Sequence, residues 1–266
     1  MTRAEGPYEV HALRYATRGT RASEVYLNWF LFGEDDREIV MDYYCWLVRG
    51  RGRTILVDTG FTPEVGERRG RTTTTPPMEG LARLGVEPAD VDTVVITHAH
   101  YDHTGHVDRF AHADLVIARR ELDFWTGPYA RRQHFAHSGE PDDIAVLAER
   151  DRSGCVTAFA GEYEMAPGVV LREVGGHTPG QLVAVVEAER GRVVLASDAV
   201  HYYEELELDR PFVVVADLEQ MYRGFDTVSE LAASPGTALV AGHDPDVMHR
   251  FPPSLPDQPD LAARVG

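Results

Sequence analysis

The chain has 266 residues, 43% apolar and 26% charged, which is enough to bury a sizeable core, and we expect one domain over residues 1–266. Its 43 acidic residues outnumber 26 lysines and arginines, and the formal charge of −17 disfavours nucleic acid and anionic membrane surfaces as general partners. Residues 1–7 lack the apolar stretch of a signal peptide, and no apolar run is long enough to span a bilayer, so we predict a cytoplasmic protein.

Short apolar runs alternate with helical patterns along the chain, which is typical of an α/β fold. The predicted strands are, in chain order, 38–48, 54–57, 92–97, 115–118, 169–174, 182–187, 192–196 and 238–241. The predicted helices are 78–84, 120–125 and 221–233. The less regular stretches 61–75 and 127–141 are predicted to be loops that border a pocket, and the proline-rich tail 252–259 is predicted to run over the surface.

The only two cysteines, Cys45 and Cys155, lie far apart in the sequence. Two distant cysteines in a chain of this length do not make a disulfide framework. Cys45 lies within an apolar run typical of a buried strand. We predict that both are core thiols rather than metal ligands or nucleophiles.

The strand predicted over 92–97 leads into a cluster of His98, His100, Asp102 and His103. Imidazole and carboxylate groups are ligands suited to zinc, iron or manganese. In an extended turn, His98 and His100 point the same way. Asp102 and His103 can then turn toward a second ion. The alternative is a histidine-rich surface loop, which the buried strand before the cluster disfavours.

Three further candidate ligands follow later predicted strands. His177 stands between glycines and a Thr-Pro-Gly turn, where a capping histidine is the alternative interpretation. Asp198 lies just past an apolar strand, a position that suits a metal bridge and equally a helix N-cap. His243 directly follows the last predicted strand. Because layered α/β folds place their sites in the loops at strand ends, these positions together favour a metal site.

In this order, the motifs His-x-His-x-Asp-His, Gly-His-Thr-Pro-Gly, Ser-Asp and Gly-His resemble the signature of the metallo-β-lactamase superfamily. The Asp58-Thr59-Gly60 sequence also matches an early Asp-x-Gly strand end of that family. Within the superfamily the chain looks most like the N-acyl-homoserine lactonase group. The resemblance implies an αββα sandwich, in which two mixed β-sheets are flanked by helices.

The resemblance also implies two divalent metal ions, with Zn²⁺ expected first and Fe, Mn or Co as alternatives. The implied ligands are His98, His100 and His177 for the first metal, Asp102, His103 and His243 for the second, and Asp198 as the bridge. Asp58 would orient the ligand histidines through hydrogen bonds.

The activity implied is the opening of a lactone ring, of N-acyl-homoserine lactone or a related lactone, by attack of a hydroxide that bridges the two metals. Asp102 would pass a proton to the leaving alkoxide. The expected partner is therefore a small lactone or ester, and family analogy suggests a homodimer. The alternative is hydrolysis of another ester or a thioester at the same dinuclear site.

The sequence departs from the lactonase group just after the bridging aspartate. That group has a tyrosine three residues further on, whose phenol helps to hold the substrate carbonyl. Here His201 occupies this position and Tyr202 follows, so either Tyr202 moves into the role or His201 supplies a different donor. Simple packing is the alternative for Tyr202. We predict that Tyr101 and Phe61 contact the substrate.

Other readings of the same residues are less favoured. A diiron redox centre is disfavoured because oxygen-reducing relatives carry a glutamate where His100 stands. A structural zinc site is disfavoured because such sites are usually closed and cysteine-rich. His134 and His137 are predicted to be loop histidines rather than ligands. Aromatic residues that could form an acyl pocket, or pack in the core instead, are Trp29, Phe30, Phe61, Trp125 and Tyr129.

Overall fold

The computed structural model describes residues 6–266. The prediction that residues 1–7 lack a signal peptide therefore falls mostly outside the described residues. The strands are β1 (Glu9–Arg21), β2 (Glu38–Gly50), β3 (Arg53–Val57), β4 (Thr72–Thr73), β5 (Thr93–Ile96), β6 (Asp114–Ala118), β7 (Val156–Phe159), β8 (Glu162–Ala166), β9 (Val169–Glu173), β10 (Leu182–Ala188), β11 (Gly191–Ser197), β12 (Thr237–Ala241) and β13 (Ala262–Arg264).

The α-helices are α1 (Ala22–Val25), α2 (Pro63–Arg68), α3 (Pro77–Arg83), α4 (Tyr101–Thr104), α5 (Arg119–Thr126), α6 (Gln133–Ala136), α7 (Pro141–Arg152), α8 (Tyr203–Glu207), α9 (Leu218–Ala232) and α10 (Val247–Arg250). Short 3₁₀ helices are Trp29–Phe32, Pro88–Asp90, Val107–Phe110 and Tyr129–Arg131. All of the predicted strands and helices are present, with ends that differ by only a few residues. No helix in residues 6–266 combines the length and apolar character that a bilayer span needs.

The strands form two mixed sheets. The larger sheet has the order β13-β1-β2-β3-β5-β6-β7, with β4 paired to β1. Its β13-β1-β2-β3 half is antiparallel, whereas β3, β5, β6 and β7 run parallel to one another. The smaller sheet has the order β12-β11-β10-β9-β8, in which β11 and β12 are parallel and the other neighbours antiparallel.

Strand β2 shows how the layers are held together. Side chains of successive strand residues point to opposite faces of a sheet. Cys45 and Leu47 accordingly join one apolar core, while Tyr44, Trp46 and Val48 join another, which is shared with β10 and β11 of the smaller sheet. Both faces of β2 are thus covered, and the fully buried Trp46 lies between the two sheets.

Helices cover the outer faces of this sandwich. Helix α9 contacts β11 and β12 through its apolar stripe of Met221, Phe225 and Val228, which has helical spacing. Helix α3 contacts β1, and α5 contacts β6 and β7. This arrangement confirms the αββα sandwich predicted from the sequence.

Two predicted loops contain regular structure. The stretch 61–75 holds α2 and β4; α2 begins where the Thr62 hydroxyl accepts a hydrogen bond from the Val65 amide at 3.3 Å and Pro63 occupies the first turn. The stretch 127–141 holds the short helix α6. The tail 252–259 precedes β13, which joins the larger sheet.

The two cysteines differ in environment. Cys45 is buried in β2, as predicted, but Cys155 is exposed in the connection between α7 and β7. The prediction of a core thiol is therefore wrong for Cys155. Cys155 lies between the end of α7 and the edge strand β7, so its thiol is exposed to solvent rather than packed in the core.

Candidate metal centre

The seven candidate ligands meet at one end of the two sheets. They lie in the segments that follow β5 in the larger sheet and β9, β11 and β12 in the smaller one. Each of the seven residues is buried, with at most 7% of its surface exposed. Strand ends from both layers thus bring together groups that are distant in sequence.

Four of these residues, His98, His100, His177 and Asp198, form a first cluster. The Nε2 atoms of His98 and His177 each lie 3.0 Å from Nδ1 of His100. Asp198 Oδ2 is 3.3 Å from His177 Nε2 and 3.7 Å from His98 Nε2. Tetrahedral ligands at a zinc–nitrogen distance near 2.0–2.1 Å lie about 3.3 Å apart, so these spacings suit one ion.

Asp102, His103 and His243 form a second cluster. The Nε2 atoms of His103 and His243 each lie 3.8 Å from a carboxylate oxygen of Asp102. Asp198 Oδ1 is 3.4 Å from His103 Nε2 and 3.1 Å from His243 Nε2. One oxygen of Asp198 therefore faces the first cluster while the other faces the second.

Backbone carbonyls fix the ring orientation of two candidate ligands. His177 Nδ1 donates to the Val214 carbonyl at 2.8 Å, and His243 Nδ1 donates to the Asp42 carbonyl at 2.7 Å. A proton held on Nδ1 leaves Nε2 of a neutral ring with a free lone pair. Both Nε2 atoms are thereby prepared to bind a cation.

Asp58 holds the His103 ring from behind the clusters. Its Oδ2 accepts from His103 Nδ1 at 2.7 Å and from the Thr97 hydroxyl at 2.7 Å, while Oδ1 accepts from the Thr97 amide at 2.8 Å. The residue follows β3 with a φ of +61°, a conformation that aspartate tolerates better than most residues. This geometry suits the orienting role that the family resemblance implies.

Burial keeps the rings of the first cluster neutral. It lowers the pKa of His98 and His177 well below the usual value, and that of His100 to about 3. At His103 burial acts in the same direction, but the carboxylates of Asp198 and Asp58 outweigh it and raise the pKa. Neutral imidazole is the metal-binding form, and the negative potential at His103 favours a bound cation.

Two buried atoms without hydrogen bonds also fit bound cations. His103 Nε2 and Asp198 Oδ1 are buried and, although they lie 3.4 Å apart, neither makes a hydrogen bond among the described residues. Such groups are costly unless something satisfies them. Five imidazoles and two carboxylates form a donor set of the type that zinc and similar ions prefer, so the residues fit a pair of divalent ions.

A cavity of about 230 Å³ lies over the two clusters. Asp102, Asp198 and His243 contribute to its wall, together with Tyr101 and several arginines. Tyr101 is thus where a substrate-contacting residue needs to be. His137 also lines this cavity, whereas His134 borders a smaller recess beside it.

Phe61 and Tyr202 occupy positions that differ from those predicted. Phe61 is fully buried behind Tyr101, with ring centroids 5.8 Å apart and planes nearly parallel, so it supports the cavity wall rather than contacting substrate. The Tyr202 hydroxyl donates to the Val40 carbonyl at 3.2 Å, and Tyr202 does not line the cavity. This placement favours the packing interpretation of Tyr202.

His201, in contrast, lines the cavity and is fully buried. Its ring stacks on Phe212, and its Nε2 lies 3.1 Å from Asp198 Oδ2. Its Nδ1 lies 3.2 Å from the buried carboxylate of Glu205. Burial lowers the pKa of His201, but Glu205 and Asp198 outweigh this effect and raise it to about 9.

Of the four other aromatic residues considered for an acyl pocket, three lie elsewhere. Phe30 and Tyr129 are 76% and 67% exposed. Trp29 packs in the core against Tyr26. Trp125 contacts the His100 ring edge to face and borders the recess next to the cavity, so it alone of the four adjoins the ligands.

Glu121 is a functional candidate that sequence reasoning missed. Its buried carboxylate accepts hydrogen bonds from the Ala99 amide at 2.9 Å, the Gly180 amide at 2.8 Å and Trp125 Nε1 at 2.7 Å. Ala99 lies between two candidate ligands and Gly180 closes the turn after His177. Glu121 therefore connects the two loops of the first cluster. Its sequence signal is weak, since it consists of a glutamate in a predicted helix next to the site.

Comparisons with known proteins agree with this geometry. A family model described as the metallo-β-lactamase superfamily matches residues 40–249. Curated relatives include an N-acyl homoserine lactonase of Bacillus sp., 28% identical over 216 residues that cover 76% of this chain and 80% of the relative. The N-acyl homoserine lactonase AiiB of Agrobacterium fabrum (strain C58) is 31% identical over 171 residues, covering 59% of this chain and 62% of AiiB.

Solved structures share the fold. A quorum-quenching N-acyl homoserine lactone lactonase superposes with a TM-score of 0.75 at 21% identity, covering 91% of this chain and 95% of its own. AidC, a dizinc quorum-quenching lactonase in complex with a product, superposes with a TM-score of 0.71 at 19% identity, covering 92% and 90%. The family match over residues 40–249, together with the two clusters and the αββα sandwich, shows that the chain belongs to the metallo-β-lactamase superfamily.

Proposed function

We propose that this protein is a dinuclear metal-dependent lactonase that hydrolyses N-acyl homoserine lactones or related lactones. The observation that carries the proposal is Asp198, whose two oxygens face the two ligand clusters beneath an accessible cavity. The substrate class is supported by relatives named N-acyl homoserine lactonases, which match 76% of the chain.

The proposed ligand sets are those of the two clusters. His98, His100 and His177 would hold one ion, Asp102, His103 and His243 the other, and Asp198 both. The nitrogen and oxygen donors make Zn²⁺ the ion we propose first. When bound, the two ions supply Lewis acidity for the substrate carbonyl and lower the pKa of an attacking water.

The reaction adds water to the lactone carbonyl and breaks the ring carbon–oxygen bond, which gives a hydroxy acid. The chain must place the carbonyl over the clusters and deliver a proton to the leaving alkoxide oxygen. Asp102 suits the second task because its carboxylate lines the cavity and belongs to the second cluster. Tyr101 forms the wall beside it.

We propose that His201, rather than Tyr202, supplies the donor for the substrate carbonyl. Its imidazole lies in the cavity wall next to Asp198, and Glu205 holds the ring from the other side. The Tyr202 hydroxyl already donates its proton to the Val40 carbonyl. A nitrogen donor would thus take the place of the phenol that the lactonase group carries.

Purified protein loaded with zinc should be assayed on lactones of several acyl lengths, on a thioester and on a phosphodiester. We expect lactone hydrolysis to have the highest kcat/KM, and Asp198→Asn to reduce it by about 100-fold or more with the fold retained by circular dichroism. Glu149→Gln, an exposed site on α7, is the control. Turnover of the thioester alone would replace the lactone assignment with the alternative. The homodimer and the cytoplasmic location stay predictions.

A further inference from the structure

Three arginines line the cavity beside the ligand clusters, and two of them form ion pairs with nearby carboxylates. Arg18 lies 3.3 Å from a carboxylate oxygen of Glu24. Arg69 pairs with Glu140 at 2.7 Å. Arg68 pairs with the same Glu140 at 2.7 Å, so a net positive charge remains at that position, whereas Glu24 balances Arg18. The third arginine, Arg71, differs from them.

Arg71 has no carboxylate partner among residues 6–266. Its Nε donates to the Tyr101 hydroxyl at 3.0 Å, and a second nitrogen donates to the Arg69 carbonyl. Both partners are neutral, and the side chain is half-buried. Asp102 is near enough to influence its pKa but belongs to the second ligand cluster. A partly desolvated guanidinium with neutral partners is poised to bind an anion.

The Tyr43 hydroxyl lies near the same guanidinium. Its oxygen is buried and has no hydrogen-bond partner within the described part of the chain, and the residue lines the cavity. A phenol carries its proton at neutral pH, so the group offers an unused donor. The Tyr101 hydroxyl, which accepts from Arg71, has its own proton to donate as well.

We propose that Arg71, with the hydroxyls of Tyr43 and Tyr101, forms a carboxylate-binding subsite, and that the preferred substrates are lactones bearing a carboxylate outside the ring. This inference rests on the proposed lactonase function. A guanidinium recognises a carboxylate through paired charge-assisted hydrogen bonds. The chain as a whole carries a formal charge of −17 and repels anions, so a local cation in the cavity wall favours the binding of one there.

Two matched substrates test the subsite on the zinc-loaded protein: N-hexanoyl-homoserine lactone and its analogue with a carboxylate at the end of the same six-carbon chain. We expect the wild type to favour the carboxylated lactone. Arg71→Met should lower kcat/KM for the carboxylated substrate about 10- to 100-fold more than for the neutral one, through KM. Arg71→Lys should be intermediate, since it keeps the charge without the fork.

The control is Arg223→Met, an exposed arginine on α9 paired with Glu219, which should change neither substrate. The subsite is wrong if the wild type prefers the neutral lactone, or if Arg71→Met affects both substrates equally. In either case hydrolysis of the neutral lactone leaves the proposed function standing.

Adipate, which has two carboxylates and no lactone ring, tests the subsite independently of lactone hydrolysis. If the protein hydrolyses no lactone, the proposed function fails. Adipate binding by calorimetry that weakens at least tenfold in Arg71→Met would then still support the subsite. Equal adipate affinity in the wild type and Arg71→Met would overturn it.

Discussion

At the scale of single residues, Glu121 shows how one buried carboxylate can organise a metal centre without touching a metal. It accepts from the amides of Ala99 and Gly180, which flank the ligands of the first cluster, and from the Trp125 indole. Burial raises its pKa, and those hydrogen bonds act against the shift. A group that holds two ligand loops in register should control how well an ion fits between them.

Glu121→Gln should therefore weaken metal binding at the first cluster. Glutamine replaces one acceptor oxygen with an amide nitrogen, so at least one loop loses its anchor. We expect zinc affinity at one of the two sites to fall about 10- to 100-fold. Competition with a chromophoric chelator measures this, and Glu149→Gln is the matched control. Unchanged affinity at both sites would show that the loops hold their geometry without Glu121.

His201 offers a second residue-scale test through a pair of matched aromatic substitutions. His201→Phe removes the donor and should lower kcat by about 100-fold, the usual order for loss of one carbonyl-stabilising donor. His201→Tyr restores a donor at the position where the lactonase group has a phenol, so it should recover part of the rate. Steady-state kinetics on one neutral lactone distinguish the two variants. Full activity in His201→Phe would exclude a donor role for His201.

The residues that sequence reasoning places correctly and those it misplaces differ in a physical way. Ligand types at strand ends carry a chemical signal, so the spacing from His98 to His103 is enough to indicate a metal site. An aromatic side chain carries no such signal. Phe61 packs behind Tyr101, and Tyr202 contacts Val40. Aromatic residues also line cavities, so the sequence alone does not distinguish a packing role from contact with the substrate.

At the scale of elements, the clearest of the correctly predicted strands are apolar runs buried on both faces, such as β5. Strand β1 escapes prediction because its sequence mixes polar and apolar residues, and a register shift between Arg14 and Ala16 breaks the two-residue alternation. Helix α7 escapes prediction because it buries only Leu147 and Arg150, so it lacks a clear apolar stripe. An irregular strand and a weakly buried helix therefore carry weaker patterns than a regular core strand.

Helix α7 contains a carboxyl group whose ionisation should affect stability. Asp143 accepts a hydrogen bond from the Thr104 hydroxyl at 3.2 Å. Burial raises its pKa from 3.8 to about 7, and the charge of Glu140 adds to the shift. Between about pH 4 and 7 the folded state keeps a proton that the unfolded state has released. The contribution of Asp143 to stability therefore falls as the pH rises through this window and levels off above it.

Asp143→Asn removes the ionisation and keeps an acceptor for Thr104, so its advantage over the wild type should grow with pH. One pKa unit corresponds to about 1.4 kcal/mol. Allowing for partial exposure, we expect the gain in unfolding free energy to be about 1–2 kcal/mol larger at pH 8 than at pH 5. Denaturant titrations at both pH values measure it. The exposed neighbour substitution Asp142→Asn is the control, and a gain independent of pH would contradict the prediction.

At the scale of the whole molecule, the two ligand clusters join the two sheets. The segment after β5 belongs to the larger sheet, whereas His177, Asp198 and His243 follow strands of the smaller one. Each cluster contains residues from both layers. Bound ions would therefore act as cross-links between the sheets, in addition to the apolar core around Trp46. Stability and metal content should be coupled for this reason.

Removal of the metals should consequently lower the melting temperature of the whole domain. Free metal at 100 times its dissociation constant stabilises a protein by about 2.7 kcal/mol per site, so two sites contribute roughly 5 kcal/mol. For a chain of this size, that corresponds to a decrease of about 10–20 °C on chelation. Calorimetry with and without a chelator, followed by zinc addition, measures the change and its reversal. His103→Ala, which removes one ligand of the second cluster, should show about half of the chelator effect. A melting temperature that does not respond to chelation in the wild type would mean that the ions do not link the sheets, and that the apolar core alone holds the sandwich together.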